Sequence, residues 1–316
     1  MRNTRINRVV VVGPGALGGL LASSLCRTIP GEIWVLDHDS HRAALLQDSG
    51  LTLERDGRIE HFPVQVTADA KRIGPVPLVL LCVKSPALAQ TIPSLLPLLS
   101  ENTLLLAWQN GIAHLPLLLA AQLPGTVALA ITSLGAHLVG QGQVRFGGGG
   151  ETSLGFLHQA SPEARLALNE VVKLFQRVGL KARVENDILL QVWNKLLVNA
   201  GINALTAIYN CKNGALLEND EALGLLQAAV LEAASVAQTK GIAIAPEPVA
   251  RTIAVCRATA NNISSMLQDI RQNRQTEIEA INGSILEEAR KLAIPAPVNT
   301  KLYAAIKALE KKYLPG

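Results

Sequence analysis

Apolar positions fall into two regimes along the chain. In the first half they come as short unbroken runs: "VVVV" at 9–12, "EIWVL" at 32–36, "PLVLLCV" at 77–83, "TLLLAW" at 103–108 and "TVALAI" at 126–131, with helix-length segments between them. A strand with one wet face alternates apolar and polar residues, so unbroken runs predict strands covered on both faces, as in a parallel sheet. From about residue 162 the pattern turns helical almost throughout, punctuated by Pro246, Pro295 and Pro297. The order of elements predicts an α/β fold, a doubly wound parallel sheet in residues 1–184 followed by an all-helical domain in residues 185–316.

Two stretches need separate reading. "GQVRFGGGGETSLGFL" at 142–157 has four adjacent glycines flanked by β-like runs, which predicts a hairpin or edge strand rather than a linker. Residues 115–136 are uncharged for long enough to raise a membrane span, but Pro116 and the Pro124-Gly125 pair break the run into helix, turn and buried strand.

Composition narrows the function. At 316 residues the chain exceeds what one core usually serves, and 49% hydrophobic with 17% charged residues describes a globular protein. A net charge of +4 is modest, and "KALEKKY" at 307–313 reads as the solvated face of a last helix. With aromatics at 3%, base stacking has no platform, so neither nucleic acid nor membrane is the expected partner. Cys26, Cys82, Cys211 and Cys256 are scattered without a C-x-x-C pair or secretory leader, which predicts reduced thiols, a cytoplasmic location and no metal site.

Candidate chemistry begins at "GPGALG". Gly13, Gly15 and Gly18, with Pro14, Ala16 and Leu17 between them, fit the G-x-G-x-x-G turn that brings backbone close to a pyrophosphate at a helix N-terminus. The turn follows an apolar strand, opens a helix, and precedes by about twenty positions an acidic residue, Asp37, at the end of the next strand. Together these make the sheet Rossmann-type. A carboxylate at Asp37 accepts from a ribose 2'-OH and repels a 2'-phosphate, which favours NAD; His38, His41 and Arg42 just beyond it would offset a phosphate. The local residues leave the two dinucleotides open. Lys84 and Asn110 each end a strand at the carboxyl edge, where cofactors lie, although Asn110-Gly111 is also a turn signal.

The helical half carries an unusual stretch, "VWNKLLVNAGINALTAIYNCKNG" at 192–214. At about 100° per residue Lys195, Asn199, Asn203 and Thr206 share a narrow sector of an otherwise apolar helix, which predicts a polar stripe facing a wet cleft. A second predicted stripe, in "NNISSMLQDIRQNRQTEIEAING" at 261–283, groups Asn262, Ser265, Asp269, Asn273 and Thr276, with Glu277 at its border. All six histidines lie at or before residue 158, so a proton donor from the helical domain must be something else. Lysine suits the task, because partial burial lowers its pKa towards neutrality, and Glu277 can orient it.

These blocks, with "CVK" at 82–84 and "QNG" at 109–111, resemble the ketopantoate reductases over essentially the whole chain. The resemblance implies an NADPH-dependent reduction of 2-dehydropantoate to (R)-pantoate, with Lys195 as general acid and Glu277 assisting it. It implies that Asn110 positions nicotinamide and lysine, that Asn199, Asn203, Asn262 and Ser265 hold a small keto acid, that Asn213 lies near them, and that Lys84 meets the cofactor. The chain departs from the family where Asp37-His38 replaces the usual strand-end arginine, which leaves NADH open beside NADPH. Two other readings compete: a β-hydroxyacid dehydrogenase, which also pairs a lysine with an asparagine four residues on, and a non-catalytic NAD(P)-binding sensor. A homo-oligomer is compatible with all three.

Overall fold

The computed structural model describes residues 6–29 and 31–314. Its strands are Val9–Val12 (β1), Ile33–Leu36 (β2), Leu51–Arg55 (β3), Arg58–Phe62 (β4), Gln65–Thr67 (β5), Leu78–Leu81 (β6), Leu104–Ala107 (β7), Thr126–Thr132 (β8), Gly135–Gly140 (β9), Gln143–Gly148 (β10), Glu151–Gly155 (β11) and Lys181–Val184 (β12). The helices are Ala16–Cys26 (α1), Ser40–Ser49 (α2), Leu88–Leu95 (α3), His114–Ala120 (α4), Pro162–Arg177 (α5), Ile188–Ile208 (α6), Asp220–Thr239 (α7), Pro248–Ala258 (α8), Ser265–Arg271 (α9), Ser284–Lys291 (α10) and Pro297–Glu310 (α11).

The chain forms two compact units. The first runs to Gln109 and resumes over Pro116–Ile188; the second joins Leu189 onward to a short excursion, Asn110–Leu115, which the sequence pattern alone assigns to the sheet domain.

The first unit holds an eight-stranded sheet in the order β12-β11-β8-β7-β6-β1-β2-β5. Strands from β5 to β8 run parallel, and β11 turns antiparallel against β8. The central strands β1, β6 and β7 are buried at every position, the burial that unbroken Val and Leu runs require. Each such side chain contributes about 1.5–3 kcal/mol when taken out of water.

A second, four-stranded sheet, β4-β3-β10-β9, was not anticipated as a separate layer. It packs on α1, where a Cβ added to Gly19 would stand 2.6 Å from Val144 of β10. The glycine run at 147–150 is the corner where the chain passes from β10 in this sheet to β11 in the other; the strands on its two sides do not pair and neither is an edge, so the hairpin expected across it is not formed, and β10 pairs with β9 and β3 instead.

The second unit is helical. In it α7 is long and apolar enough by composition to cross a membrane, yet its buried residues, among them Leu226, Val230 and Val236, lie in a helix that packs against α8 and α11. That is the packing of a core helix.

Candidate functional site

In the first unit β1 ends in the glycine turn, and each glycine has a different physical task. Gly13 takes φ +96°, and a Cβ there would sit 2.9 Å from Val83 Cγ1, just beyond β6. A Cβ on Gly18 would lie 2.1 Å from Gly13 O, so helix α1 approaches the turn closer than any side chain permits. Gly15 has nothing within 4 Å: it is the exposed N-cap of α1, with no side chain capping the first amides. Unsatisfied N–H groups behind an open glycine fit a pyrophosphate. Pro14, Ala16 and Leu17 flank this opening. The chain goes from β1 to β2 on one side and returns at β6 on the other, which places the turn where the sheet's order reverses.

Lys84 follows β6 and starts the short turn Ser85–Ala87. Gln109, which sequence reading passed over, holds that region in place: its Nε2 donates to Leu81 O and Val83 O, both at 2.9 Å. The signal was present, since a carboxamide buried at 3% exposure after an apolar strand must satisfy backbone.

At the end of β2 the structure corrects an expectation. Asp37 is 0% exposed and does not present its carboxylate to a ribose. Arg42 grips it with a fork, Nε to Oδ2 and Nη2 to Oδ1, both at 2.5 Å. Asp39 N also donates to Oδ1 at 3.2 Å, and His38 Nδ1 stands 3.5 Å from the same oxygen. The partners stand five positions apart along the chain, and the start of α2 supplies the turn that joins them.

In the second unit α6 carries Lys195, Asn199 and Asn203, of which Asn203 is buried and the other two half-buried. Burial pushes the Lys195 ammonium down from 10.5 to about 8, and the charge of Glu277 opposes that fall. Glu277 is itself 8% exposed and accepts a hydrogen bond from Asn110 Nδ2 at 2.6 Å. The Asn110–Leu115 excursion is what makes this possible. Ile112 N donates to Ala280 O at 3.3 Å, and Gly111, at φ +76°, passes so close that a Cβ would fall 1.7 Å from the same oxygen. Asn-Gly is therefore both a turn and the means of delivering Asn110.

The excursion also brings a histidine, His114, into the second unit, contrary to expectation. It is 1% exposed, and burial lowers its pKa to about 4, so near neutral pH it is a neutral imidazole and not a cationic acid.

The rest of the predicted stripes is only partly assembled. Thr206 turns away: it is fully buried and donates to Ile202 O and Asn203 O, with Ser264 Oγ 2.6 Å away. Asn213 is engaged structurally, its Nδ2 on Thr259 Oγ1 at 2.9 Å and its backbone N on Asn262 O at 3.0 Å. The stretch 261–283 is not one helix. Asn262 precedes α9 and is exposed, and Ser265 is exposed as its first residue. Helix α9 stops at Arg271, and Asn273 adopts φ +53°. Asp269 faces Arg274 at 3.4 Å, and Thr276 gives its N and Oγ1 to Glu310 at 2.8 and 2.7 Å. A wide π-turn, Glu279–Gly283, then leads into α10, with Gly283 N reaching back to Ile278 O. These breaks remove the shared face predicted for Asp269, Asn273 and Thr276, and leave Asn262, Ser265 and Glu277 as the members still fit for a ligand.

An open glycine turn on a doubly wound sheet and, in the helical unit, a lysine within the field of a buried glutamate are the features of a nicotinamide-dependent oxidoreductase. Similarity to known proteins agrees. The family model described as ketopantoate reductase PanE/ApbA matches residues 9–159, and its C-terminal counterpart matches residues 187–310. The chain belongs to the ketopantoate reductase family. It is 34% identical over 294 residues to 2-dehydropantoate 2-reductase of Halobacterium salinarum, covering 92% of this chain and 95% of that one. The crystal structure of a PanE/ApbA family ketopantoate reductase from Ralstonia eutropha is similar with a TM-score of 0.86 at 26% identity, over 97% of this chain and 99% of that chain. A D-mandelate dehydrogenase solved with NADH and anilino(oxo)acetate shares the fold, with a TM-score of 0.88 at 24% identity, over 97% of this chain and 99% of that one. Neither the β-hydroxyacid dehydrogenase nor the sensor reading is favoured by these matches.

Proposed function

We propose that this chain is a 2-dehydropantoate 2-reductase, reducing ketopantoate to (R)-pantoate with NADPH, and accepting NADH, as a step in pantothenate and coenzyme A synthesis. The observation that carries the reading is the Lys195–Glu277–Asn110 arrangement: a lysine whose pKa falls to about 8, beside a buried carboxylate that Asn110 holds at 2.6 Å.

The glycine turn and the first amides of α1 suit the cofactor's pyrophosphate, and Lys84 stands at the same sheet edge. The reduced nicotinamide supplies the hydride when bound. Lys195 does the acid's part. Its Nζ, charged below about pH 8, stabilises the negative charge growing on the keto oxygen and then gives that oxygen its proton. Glu277 keeps the ammonium charged, and Asn110 keeps Glu277 in place. Asn199, Asn203, Asn262 and Ser265 supply amide and hydroxyl groups for the substrate's carboxylate and hydroxyl.

A steady-state assay tests the reading, with ketopantoate and a panel of other 2-keto acids on each of the two reduced cofactors, and with 3-hydroxy acids on each of the two oxidised ones. Turnover of ketopantoate at a kcat/KM above the panel supports it. Preference for a 3-hydroxy acid, or cofactor binding without turnover of any of them, would overturn it.

A further inference from the structure

The Asp37–Arg42 fork carries more than a correction, because the strand end after β2 is where a doubly wound sheet reads the adenosine ribose. Gly13 N donates to Leu36 O at 2.9 Å, so the residue after Leu36 lies directly beside the glycine turn. A carboxylate that reads ribose hydroxyls must offer an oxygen to the ligand. Asp37 offers none: it is fully buried, Oδ2 is taken by Arg42 Nε, and Oδ1 by Arg42 Nη2 and Asp39 N.

Arg42 is in the opposite position. Its side chain is 37% exposed. Of the five N–H donors of a guanidinium, the fork uses the one on Nε and one on Nη2, leaving both on Nη1 and the second on Nη2. The surroundings limit the charge available. Asp37 cancels Arg42, and Asp39, the exposed N-cap of α2, adds a further carboxylate that accepts from Arg42 N at 2.9 Å. His38 and His41 are exposed beside them.

We infer that Asp37 sets cofactor choice through Arg42 and not by touching the ribose: the buried carboxylate restrains the guanidinium, whose outer edge meets either a 2'-phosphate or a 2'-hydroxyl. Asp37 is thus a positioning residue and Arg42 the discriminating one. A restrained, charge-cancelled arginine distinguishes the two cofactors weakly, so the wild-type dissociation constants for NADPH and NADH lie within about tenfold of each other. The inference rests on the proposed use of a nicotinamide dinucleotide, and goes beyond it by naming the pair that selects between the two forms.

The test is a double-mutant cycle on the full chain, with dissociation constants for NADPH and NADH measured by titration of cofactor fluorescence. Asp37→Asn removes the restraint. It tightens NADPH by about tenfold through the freed guanidinium and leaves NADH within about twofold. Arg42→Gln weakens NADPH by about tenfold and spares NADH. In the Arg42→Gln background Asp37→Asn no longer helps NADPH. If Asp37→Asn instead weakens NADH, or its gain for NADPH persists without Arg42, the carboxylate acts on the ribose or phosphate itself and the inference is overturned. Arg42→Gln alone suffices should Asp37→Asn fail to fold: unchanged NADPH binding removes Arg42 from cofactor selection. Failure of the wild type to bind either dinucleotide would overturn the functional reading itself, a result distinct from these.

Discussion

Asn110 and Glu277, 167 positions apart, meet through a 2.6 Å hydrogen bond from Nδ2 to Oε2. The bond exists because Gly111 accepts a positive φ and a backbone contact with Ala280 that no other residue fits. Asn110→Ala leaves Glu277 without this donor and lowers kcat for the keto acid by about 10–100-fold, the worth of a hydrogen bond to a charged group. Gly111→Ala must displace the segment and reduces kcat at least as much. Steady-state kinetics at saturating cofactor check both, and turnover unchanged in Asn110→Ala would show that Glu277 needs no positioning.

The pH profile follows from Lys195. With its ammonium as the proposed acid, kcat for reduction is constant below about pH 8 and falls as pH rises through it. Glu277 raises the lysine's pKa, so Glu277→Gln moves the break to lower pH. Lys195→Ala loses about 10²–10⁴-fold in kcat while NADPH still binds. A profile that is flat to pH 10 in the wild type would assign the proton to another group.

The same burial has a cost in stability. The folded pKa of Lys195, about 8, lies below the ordinary 10.5, so between these values the unfolded chain holds more protons and stability rises with pH. Below pH 8 the full penalty of a buried ammonium remains. Lys195→Met therefore stabilises the protein near neutral pH by about 1–3 kcal/mol while abolishing turnover, and the gain shrinks as pH rises from 8 to 10.5. Urea melts at several pH values measure it; a Met variant that is less stable at pH 7 would show that the lysine is well compensated.

How far the sequence foretold this depends on what each residue's neighbours are. Strands β1, β6 and β7 were legible because full burial leaves an unbroken apolar run, and β2 and β8, half-buried at one and three positions, keep such a run as well. The second sheet was not, since β4, "RIEHF", is exposed at four of five positions and so carries no apolar pattern. Its signal was the Asp56-Gly57 pair, both at positive φ, which turns β3 into β4. Lys195 stood out as a polar group on an otherwise apolar helix, Asn110 by its place at the carboxyl end of a strand, and Glu277 at the border of the second stripe. The second stripe failed because periodicity assumed one continuous helix, and tertiary partners, Glu310 for Thr276 and Arg274 for Asp269, claimed its members. Asp37 misled for the same reason: its character as a ribose acceptor was visible, and the arginine that occupies it was not.

Glu310 deserves its own test, because it receives Thr276 N and Oγ1 one residue before Glu277. Burial alone raises its pKa, but hydrogen bonds from Thr276 and Lys307 outweigh that and hold it below 4.5. Its contribution is therefore present above the ordinary carboxylate range and is lost as pH falls through the lowered folded value. Glu310→Ala destabilises by about 2–4 kcal/mol at neutral pH, leaving two buried donors unpaired, and the difference from wild type narrows at pH 3. Equal acid sensitivity of the two proteins would remove Glu310 from the network that fixes Glu277.

The last prediction separates substrate contacts from the scaffold that carries them. Asn262 and Ser265 are exposed at the entry to α9, and their side chains suit a carboxylate and a hydroxyl. Each truncation to Ala should raise the Michaelis constant for the keto acid by about 10–100-fold with little change in protein stability. Asn213 works one step behind: its backbone N holds Asn262 O and its amide holds Thr259. Asn213→Ala keeps the backbone bond but breaks the bond to Thr259, so it loosens the 259–262 turn, costs about 1 kcal/mol of stability and raises the same Michaelis constant by a smaller factor. The cofactor constant should stay put in all three, because none of these residues lies in the unit with the glycine turn. If Asn262→Ala and Ser265→Ala move only the cofactor constant, this turn does not hold substrate; if Asn213→Ala matches them without losing stability, its amide reaches the ligand directly.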